Sequence, residues 1–76
     1  MNNKRRGALN DAVKLLERAS DIIERAAEEE QDCLDNMPEN LQDSDRSYKM
    51  EDAISKLEEA VEMIDNVKEC VEAAAE

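Results

Sequence analysis

Residues 35–47 read DNMPENLQDSDRS and separate two stretches in which apolar side chains recur with a helical period. Pro38 disfavours helical geometry at the residue before it and cannot continue a helical hydrogen-bond ladder. Asn40 and Ser44, which follow it, are possible helix caps. The segment therefore predicts two helices with one break. We expect a first helix over about 4–36, a loop over about 37–45 and a second helix over about 46–75.

On either side of the break, apolar residues are spaced alternately three and four positions apart, which is the pattern of a left-handed coiled coil. The predicted core positions of the first helix are Leu9, Ala12, Leu16, Ala19, Ile23, Ala26, Glu30, Cys33 and Met37. Those of the second helix are Met50, Ala53, Leu57, Ala60, Ile64, Val67, Val71 and Ala74. Each helix is thus expected to bury one stripe of residues.

The short connection predicts that the two helices are antiparallel. If the loop is centred near Leu41, Leu16 lies opposite Val67 and Ile23 lies opposite Ala60. In most layers of this register a large side chain faces an alanine, which fills space and lets the helix axes approach closely. We predict an all-α fold: an antiparallel two-helix coiled-coil hairpin that forms a single domain over residues 1–76.

Further apolar residues lie beside the predicted core stripes. They are Val13, Leu15 and Ile22 on the first helix, and Ile54, Val61 and Met63 on the second. Two helices cannot cover these residues as well, and an exposed apolar stripe of this size is unusual on a monomer. Two hairpins related by a two-fold axis would bury it in a four-helix bundle, and a partner protein could cover it instead. We expect the homodimer.

The charge of the chain is strongly negative and unevenly spread. The net charge is −11, and residues 28–76 hold 17 acidic against four basic side chains. Such a surface repels nucleic acid and membranes, because binding to phosphates depends on Lys and Arg. It suits a basic protein partner, for example a nucleic-acid-binding protein, although solubility alone would also explain it.

No catalytic, cofactor or metal site is expected. The chain has no histidine, so the commonest general base is missing. Cys33 and Cys70 have no activating neighbour and are interpreted as small core residues. The acidic run 28–30 lacks the histidines of di-iron bundles, and residues 43–54 lack the glycine and final glutamate of a calcium loop. With neither a signal peptide nor a membrane span expected, the cytoplasm is the predicted compartment.

Two groups of residues are candidates for contact with a partner protein. In the loop region, Met37, Leu41 and Tyr48 are apolar or aromatic residues that either plug the end of the hairpin or present a contact surface. On the second helix, a row of carboxylates could imitate the phosphate array of DNA. The acidic candidates are Glu51, Asp52, Glu58, Glu59 and Glu62.

The loop also carries a resemblance to other proteins. Its run DNMPENLQ, followed by Ser44-Asp45-Arg46 and Met50-Glu51, resembles a D-N-(L/M)-P-E-(S/N)-L-Q-x-S-(D/E)-R pattern. That pattern occurs in short uncharacterised helical-hairpin proteins from phages and mobile elements of Gram-positive bacteria. The similarity covers residues 28–65 and is specific only in the loop. It implies an accessory protein in the cytoplasm of an infected or host bacterial cell, and it carries over no functional residues.

Two functions follow as hypotheses. The first is a non-enzymatic acidic binding module that occupies and inhibits a host protein. An anti-defence or anti-CRISPR inhibitor that acts by DNA mimicry is one example. The alternative is a homo-oligomeric structural or scaffold protein with no foreign target.

Overall fold

The protein forms two long helices in a computed structural model that describes residues 1–41 and 44–76. Helix α1 spans Asn3–Asp35, a 3₁₀ turn spans Glu39–Leu41, and helix α2 spans Asp45–Ala75. The Cα atoms extend over 59 × 14 × 12 Å, so the molecule is a rod. The predicted all-α helical hairpin is confirmed. We call the end with the connection the loop end and the end with the two termini the open end.

Asparagine side chains close both ends of α1. The Oδ1 atom of Asn2 accepts a hydrogen bond of 2.8 Å from the backbone N–H of Arg5. At the other end, the backbone N–H and the Nδ2 of Asn36 both donate to the carbonyl oxygen of Asp32, at 3.1 and 2.8 Å. These bonds satisfy backbone groups that a helix end leaves free, and α1 ends before Pro38.

Two serines fix the start of α2. The Oγ of Ser44 accepts a hydrogen bond from the backbone N–H of Ser47 at 3.3 Å and donates to the carbonyl oxygen of Leu41 at 2.6 Å. The Oγ of Ser47 donates to the carbonyl oxygen of Ser44 at 2.9 Å, and Ser47 is fully buried. Because its hydroxyl is satisfied within the turn, a polar side chain is tolerated inside the loop end.

The core is a line of buried and half-buried side chains along each helix. On α1 these core positions are Arg6, Leu9, Val13, Leu16, Ser20, Ile23, Ala27, Glu30 and Leu34, and Met37 continues the line just after the helix. On α2 they are Ser47, Met50, Ile54, Leu57, Val61, Ile64, Lys68, Val71 and Ala75. Half-buried alanines, among them Ala12 and Ala60, border the line.

Every second core position differs from the predicted one by a single residue. Val13, Ile54 and Val61, which were assigned to the outer stripe, belong to the core, and Ile54 is only 7% exposed. Cys33, assigned to the core, is exposed because Leu34 takes its place. Relative to the predicted hairpin, the observed core positions correspond to a rotation of each helix by about 50° about its own axis. Burying the larger Val and Ile side chains in place of alanine removes more apolar area from water, which favours the observed choice.

Two polar contacts near the open end show how the helices align. The Nε of Arg6 donates to the carbonyl oxygen of Ala75 at 2.9 Å, and the Nζ of Lys68 lies 3.6 Å from the Oε1 of Glu17. The predicted register places Glu17 opposite Asn66, two residues from its observed partner. The contacts therefore agree with an antiparallel register centred on the loop.

Little of this chain is buried. Its accessible surface area is 5887 Å², whereas a compact protein of this mass exposes about 4,700 Å². The buried apolar residues are Ala27, Met37, Met50 and Ile54. No helix in the described part of the chain has the length and apolarity of a membrane span.

Candidate functional site

The sequence positions next to the core determine what each side of the hairpin presents. One residue turns a helix by about 100°, so the residues just after and just before a core position lie on opposite sides of that helix. One groove between the helices is lined by residues that follow core positions, namely Glu24, Glu28, Gln31, Glu58 and Glu62. A second groove, at the loop end, is lined by residues that precede them, namely Cys33, Asn36 and Arg46. Each class of position therefore shares one side of the hairpin.

The side formed by residues that follow core positions is strongly negative, and we call it the acidic face. Its carboxylates are Glu17, Asp21, Glu24, Glu28 and Asp35 from α1, and Glu51, Glu58, Glu62, Asp65, Glu69, Glu72 and Glu76 from α2 and its C-cap. Lys14 is the only basic residue at the equivalent positions of the two helices. More than half of the 21 acidic side chains of the chain thus lie on one side.

The first groove, which we call the acidic groove, lies at the middle of this face. It has a volume of about 460 Å³, and its floor is formed by Ala27, Ile54 and Val61. Its charged lining consists of four glutamates, two from each helix: Glu24, Glu28, Glu58 and Glu62. An apolar floor with carboxylate walls can accommodate a cationic segment that also carries apolar side chains.

The five acidic residues that were predicted to contact a partner do not all lie on the same side of the hairpin. Glu58 and Glu62 meet in the acidic groove, and Glu51 lies on the same face nearer the loop end. Asp52 and Glu59 are two positions past a core residue and do not line the groove. Asp52 pairs instead with Lys56 at 2.9 Å, and this hydrogen bond raises the pKa of the Lys56 ammonium.

Sequence reasoning missed the contribution of α1 to this groove. Glu24 and Glu28 line it as closely as the two glutamates of α2. The signal that identifies them is the phase of the core pattern, since each directly follows a core position once Ile23 and Ala27 are placed in the core. The acidic groove is therefore a product of both helices.

The loop candidates do not form one surface. Met37 is 9% exposed and packs inside the loop end, so of its two predicted roles it has that of a plug and core residue. Leu41 is 40% exposed and lines the second groove with Pro38, whereas Tyr48 follows a core position and lies on the acidic side. Met37 is buried because the chain folds back at Pro38, with the backbone N–H of Met37 donating to the carbonyl oxygen of Leu34 at 3.2 Å.

The side formed by residues that precede core positions is apolar along most of its length, and we call it the apolar face. Its apolar members are Ala8, Ala12, Leu15, Ala19, Ile22, Ala26 and Cys33 on α1, and Ala53, Ala60, Met63, Val67, Cys70 and Ala74 on α2. The remaining helical positions of this face are charged: Arg5, Glu29, Arg46, Lys49 and Lys56. Leu15 is 68% exposed, and Ile22 and Met63 are each 56% exposed. Cys33 and Cys70 are exposed free thiols on this face, so the interpretation of both as core residues is wrong.

Within residues 1–41 and 44–76, no group of three Cys, Asp or Glu side chains is placed to hold a metal ion. Comparison of the chain with models of protein families, with curated proteins and with solved structures found no match. The acidic and apolar faces of the hairpin are therefore the features that bear on function.

Proposed function

We propose that this protein is a non-enzymatic binding module that occupies a basic partner protein through its acidic face. The acidic groove carries the proposal, because its four glutamates converge from two helices around an apolar floor. Mutual repulsion of these carboxylates weakens when a cationic segment enters, and the apolar floor adds burial to the electrostatic attraction. The groove thus fits a lysine- or arginine-rich segment with apolar side chains between the cations.

The regular row of charges on α2 supports a nucleic-acid-binding protein as the class of partner. From Glu58 to Glu76 the carboxylates of the acidic face repeat at about 5 Å along the helix axis, a sparser row of negative charge than that of a DNA strand. A nucleic-acid-binding protein of the host is the proposed target, and blocking it is the proposed effect. The resemblance of the loop supports a phage or mobile-element accessory protein in the bacterial cytoplasm. An anti-defence or anti-CRISPR inhibitor is one such protein.

We further propose that two hairpins associate through their apolar faces into a four-helix bundle. Each residue of that face directly precedes a core residue, so the face is turned by about 100° from the core, close to the angle between neighbouring contacts in a four-helix bundle. The chain also exposes about 1,200 Å² more than a compact protein of its mass. This surplus exceeds the roughly 800 Å² that each partner buries in a standard interface.

Removal of charge from the acidic groove tests the binding proposal. Glu24, Glu28, Glu58 and Glu62 are all changed to Gln, and the tagged variant is used to capture proteins from a nuclease-treated lysate of a Gram-positive host. We expect a basic protein captured by the wild type to be lost, and wild-type capture to fall steeply between low and moderate salt.

A matched control separates the groove from total charge. In it, Asp11, Asp32, Asp52 and Glu59, which lie off the acidic face, are changed to Asn or Gln, so the net charge changes equally. We expect this variant to retain the partner. Equal loss in both variants would show that only overall charge matters, and undiminished capture by the groove variant would overturn the proposal.

The apolar face favours a second candidate function, a self-assembling scaffold with no foreign target. The same capture experiment distinguishes it, because a scaffold recovers only its own chain. Light scattering would then show a defined homo-oligomer, and the neutralised groove would leave its size unchanged.

A further inference from the structure

We infer that a second copy of the chain packs on the apolar face in the opposite direction, so that the loop end of each copy lies beside the open end of the other. In this arrangement, which we call opposed ends, α1 packs against α1 and α2 against α2. This inference rests on the homodimer proposed above and specifies its geometry. It starts from the uneven composition of the apolar face. Its large exposed apolar residues, Leu15, Ile22, Met63 and Val67, lie around the middle of the rod and toward the open end. Toward the loop end the face is interrupted by Glu29, Lys49 and Lys56.

Pairing α1 with an antiparallel copy of itself gives one register in which size and charge both match. With Glu17 at the centre, Leu15 faces Ala19 of the second copy and Ile22 faces its Ala12. Each large side chain then meets an alanine, which fills the space between close helices. The same register places Arg5 opposite Glu29 of the second copy, and symmetry repeats this pair of opposite charges.

Helix α2 is compatible with the same arrangement. With Val67 at the centre, Val67 faces its own copy, Ala60 faces Ala74 of the second copy, and Met63 lies beside its Cys70. A single two-fold axis can produce both pairings only if the centres of the two helices lie at one level of the rod. The contact of 3.6 Å between Glu17 and Lys68, the neighbour of Val67, places them there.

The other way of stacking two apolar faces has the ends aligned, with α1 over α2. That arrangement sets Ile22 near Met63 and Leu15 near Val67, while Ala26 meets Ala60. Large side chains then meet large ones around the middle of the rod, while alanine meets alanine beyond them, so the helix axes cannot stay at one close distance. Opposed ends set Leu15 and Ile22 against alanines instead.

The geometry has a consequence for binding. Both acidic faces point away from the interface, so the dimer presents two equivalent acidic grooves on opposite sides. We therefore expect a complex with two partner molecules for each dimer, and a dimer able to hold two basic proteins apart.

Spin labels on Cys33 test the arrangement. Cys33 is exposed and stands 16 residues from Glu17, so opposed ends place the two labels about 50 Å apart. Aligned ends bring them within about 25 Å. The label is attached to Cys33 in a Cys70→Ser variant and the distance is measured by pulsed electron resonance. A short distance would overturn the opposed arrangement and leave the dimer standing, whereas a monomer by light scattering would overturn the dimer itself.

A charge exchange gives a second test. Arg5→Glu and Glu29→Arg should each weaken the dimer about threefold to tenfold, and the double variant should restore it. Arg18→Glu changes the net charge as much as Arg5→Glu does, but Arg18 lies off the apolar face and should have no effect. A double variant weaker than either single variant would overturn the pairing of Arg5 with Glu29.

Discussion

The loop half and the open half of this hairpin are stabilised differently. Among the described residues, the loop half contains the four buried apolar residues and the fully buried Ser47. In the open half the core line includes Arg6 and Lys68, while Val67 remains 47% exposed. The difference indicates that the loop half holds the hairpin together, and the open half is the part that the proposed dimer would stabilise most.

The largest effect is expected from shortening Ile54, which is buried near the loop end. Ile54→Ala should lower the free energy of unfolding by about 2–4 kcal/mol, because it removes buried methyl groups from a thin core. Urea unfolding followed by circular dichroism measures the loss. The matched control is Ile22→Ala on the exposed apolar face, which should lower stability only at concentrations where the proposed dimer forms. Equal losses in dilute protein would contradict the contrast between the two halves.

The next effect concerns the start of α2. Ser44→Ala removes the oxygen that accepts the Ser47 N–H, so we expect a loss of about 1 kcal/mol. Ser44→Asp keeps an acceptor at this N-cap and should retain most of the stability. Thermal unfolding of the two variants separates the cap from other effects of the substitution. If Asp were as destabilising as Ala, the hydroxyl's bond to Leu41 would be the more important one.

At the open end, Arg6→Ala removes the hydrogen bond to the carbonyl oxygen of Ala75. We expect a loss of about 0.5–1.5 kcal/mol and faster hydrogen exchange in the last turn of α2. Arg18→Ala, which removes an exposed cation of the same helix, should change neither. Faster hydrogen exchange of Arg6→Ala near the loop end as well would show that the two halves of the hairpin unfold together.

The smallest effect is expected for the exposed pair of Asp52 and Lys56. Asp52→Asn should leave the melting temperature at neutral pH almost unchanged, because solvent screens such a pair. The raised pKa of Lys56 means that the pair stabilises the fold at pH values below the ordinary lysine range, and that its contribution disappears as the pH rises through the folded-state pKa. Thermal scans across alkaline pH should show this small decline in the wild type and not in Asp52→Asn.

The hairpin could be predicted from the sequence because its signals are local. Pro38 interrupts the helices, and the alternation of three and four residues specifies a coiled coil. The phase of that alternation could not be chosen from the pattern, because both phases share Leu16, Ile23 and Leu57 and differ by one neighbouring residue. The choice depends on what the two helices bury together, which no single window of sequence contains.

Predicting the candidate surface required the correct phase of the core pattern, whereas predicting the fold did not. Glu58 and Glu62 were recognised as part of a carboxylate row on one helix, but Glu24 and Glu28 join them only when both helices have the correct rotation. A rotation of about 50° leaves the hairpin unchanged and moves side chains from one face to another. An error in the phase of the core pattern therefore leaves the predicted fold correct but changes which residues are predicted to line the groove.

The hydrogen bond from Arg6 to Ala75 means that the two ends of the chain are neighbours in space. A short peptide joining them would turn the hairpin into a ring with little strain. Ring closure would restrict the unfolded chain and raise the free energy of unfolding by about 4 kcal/mol on a loop-entropy estimate. Because its two ends are close together, the hairpin could also be inserted into a surface loop of another protein, where it would project as a rod with one negative and one apolar side.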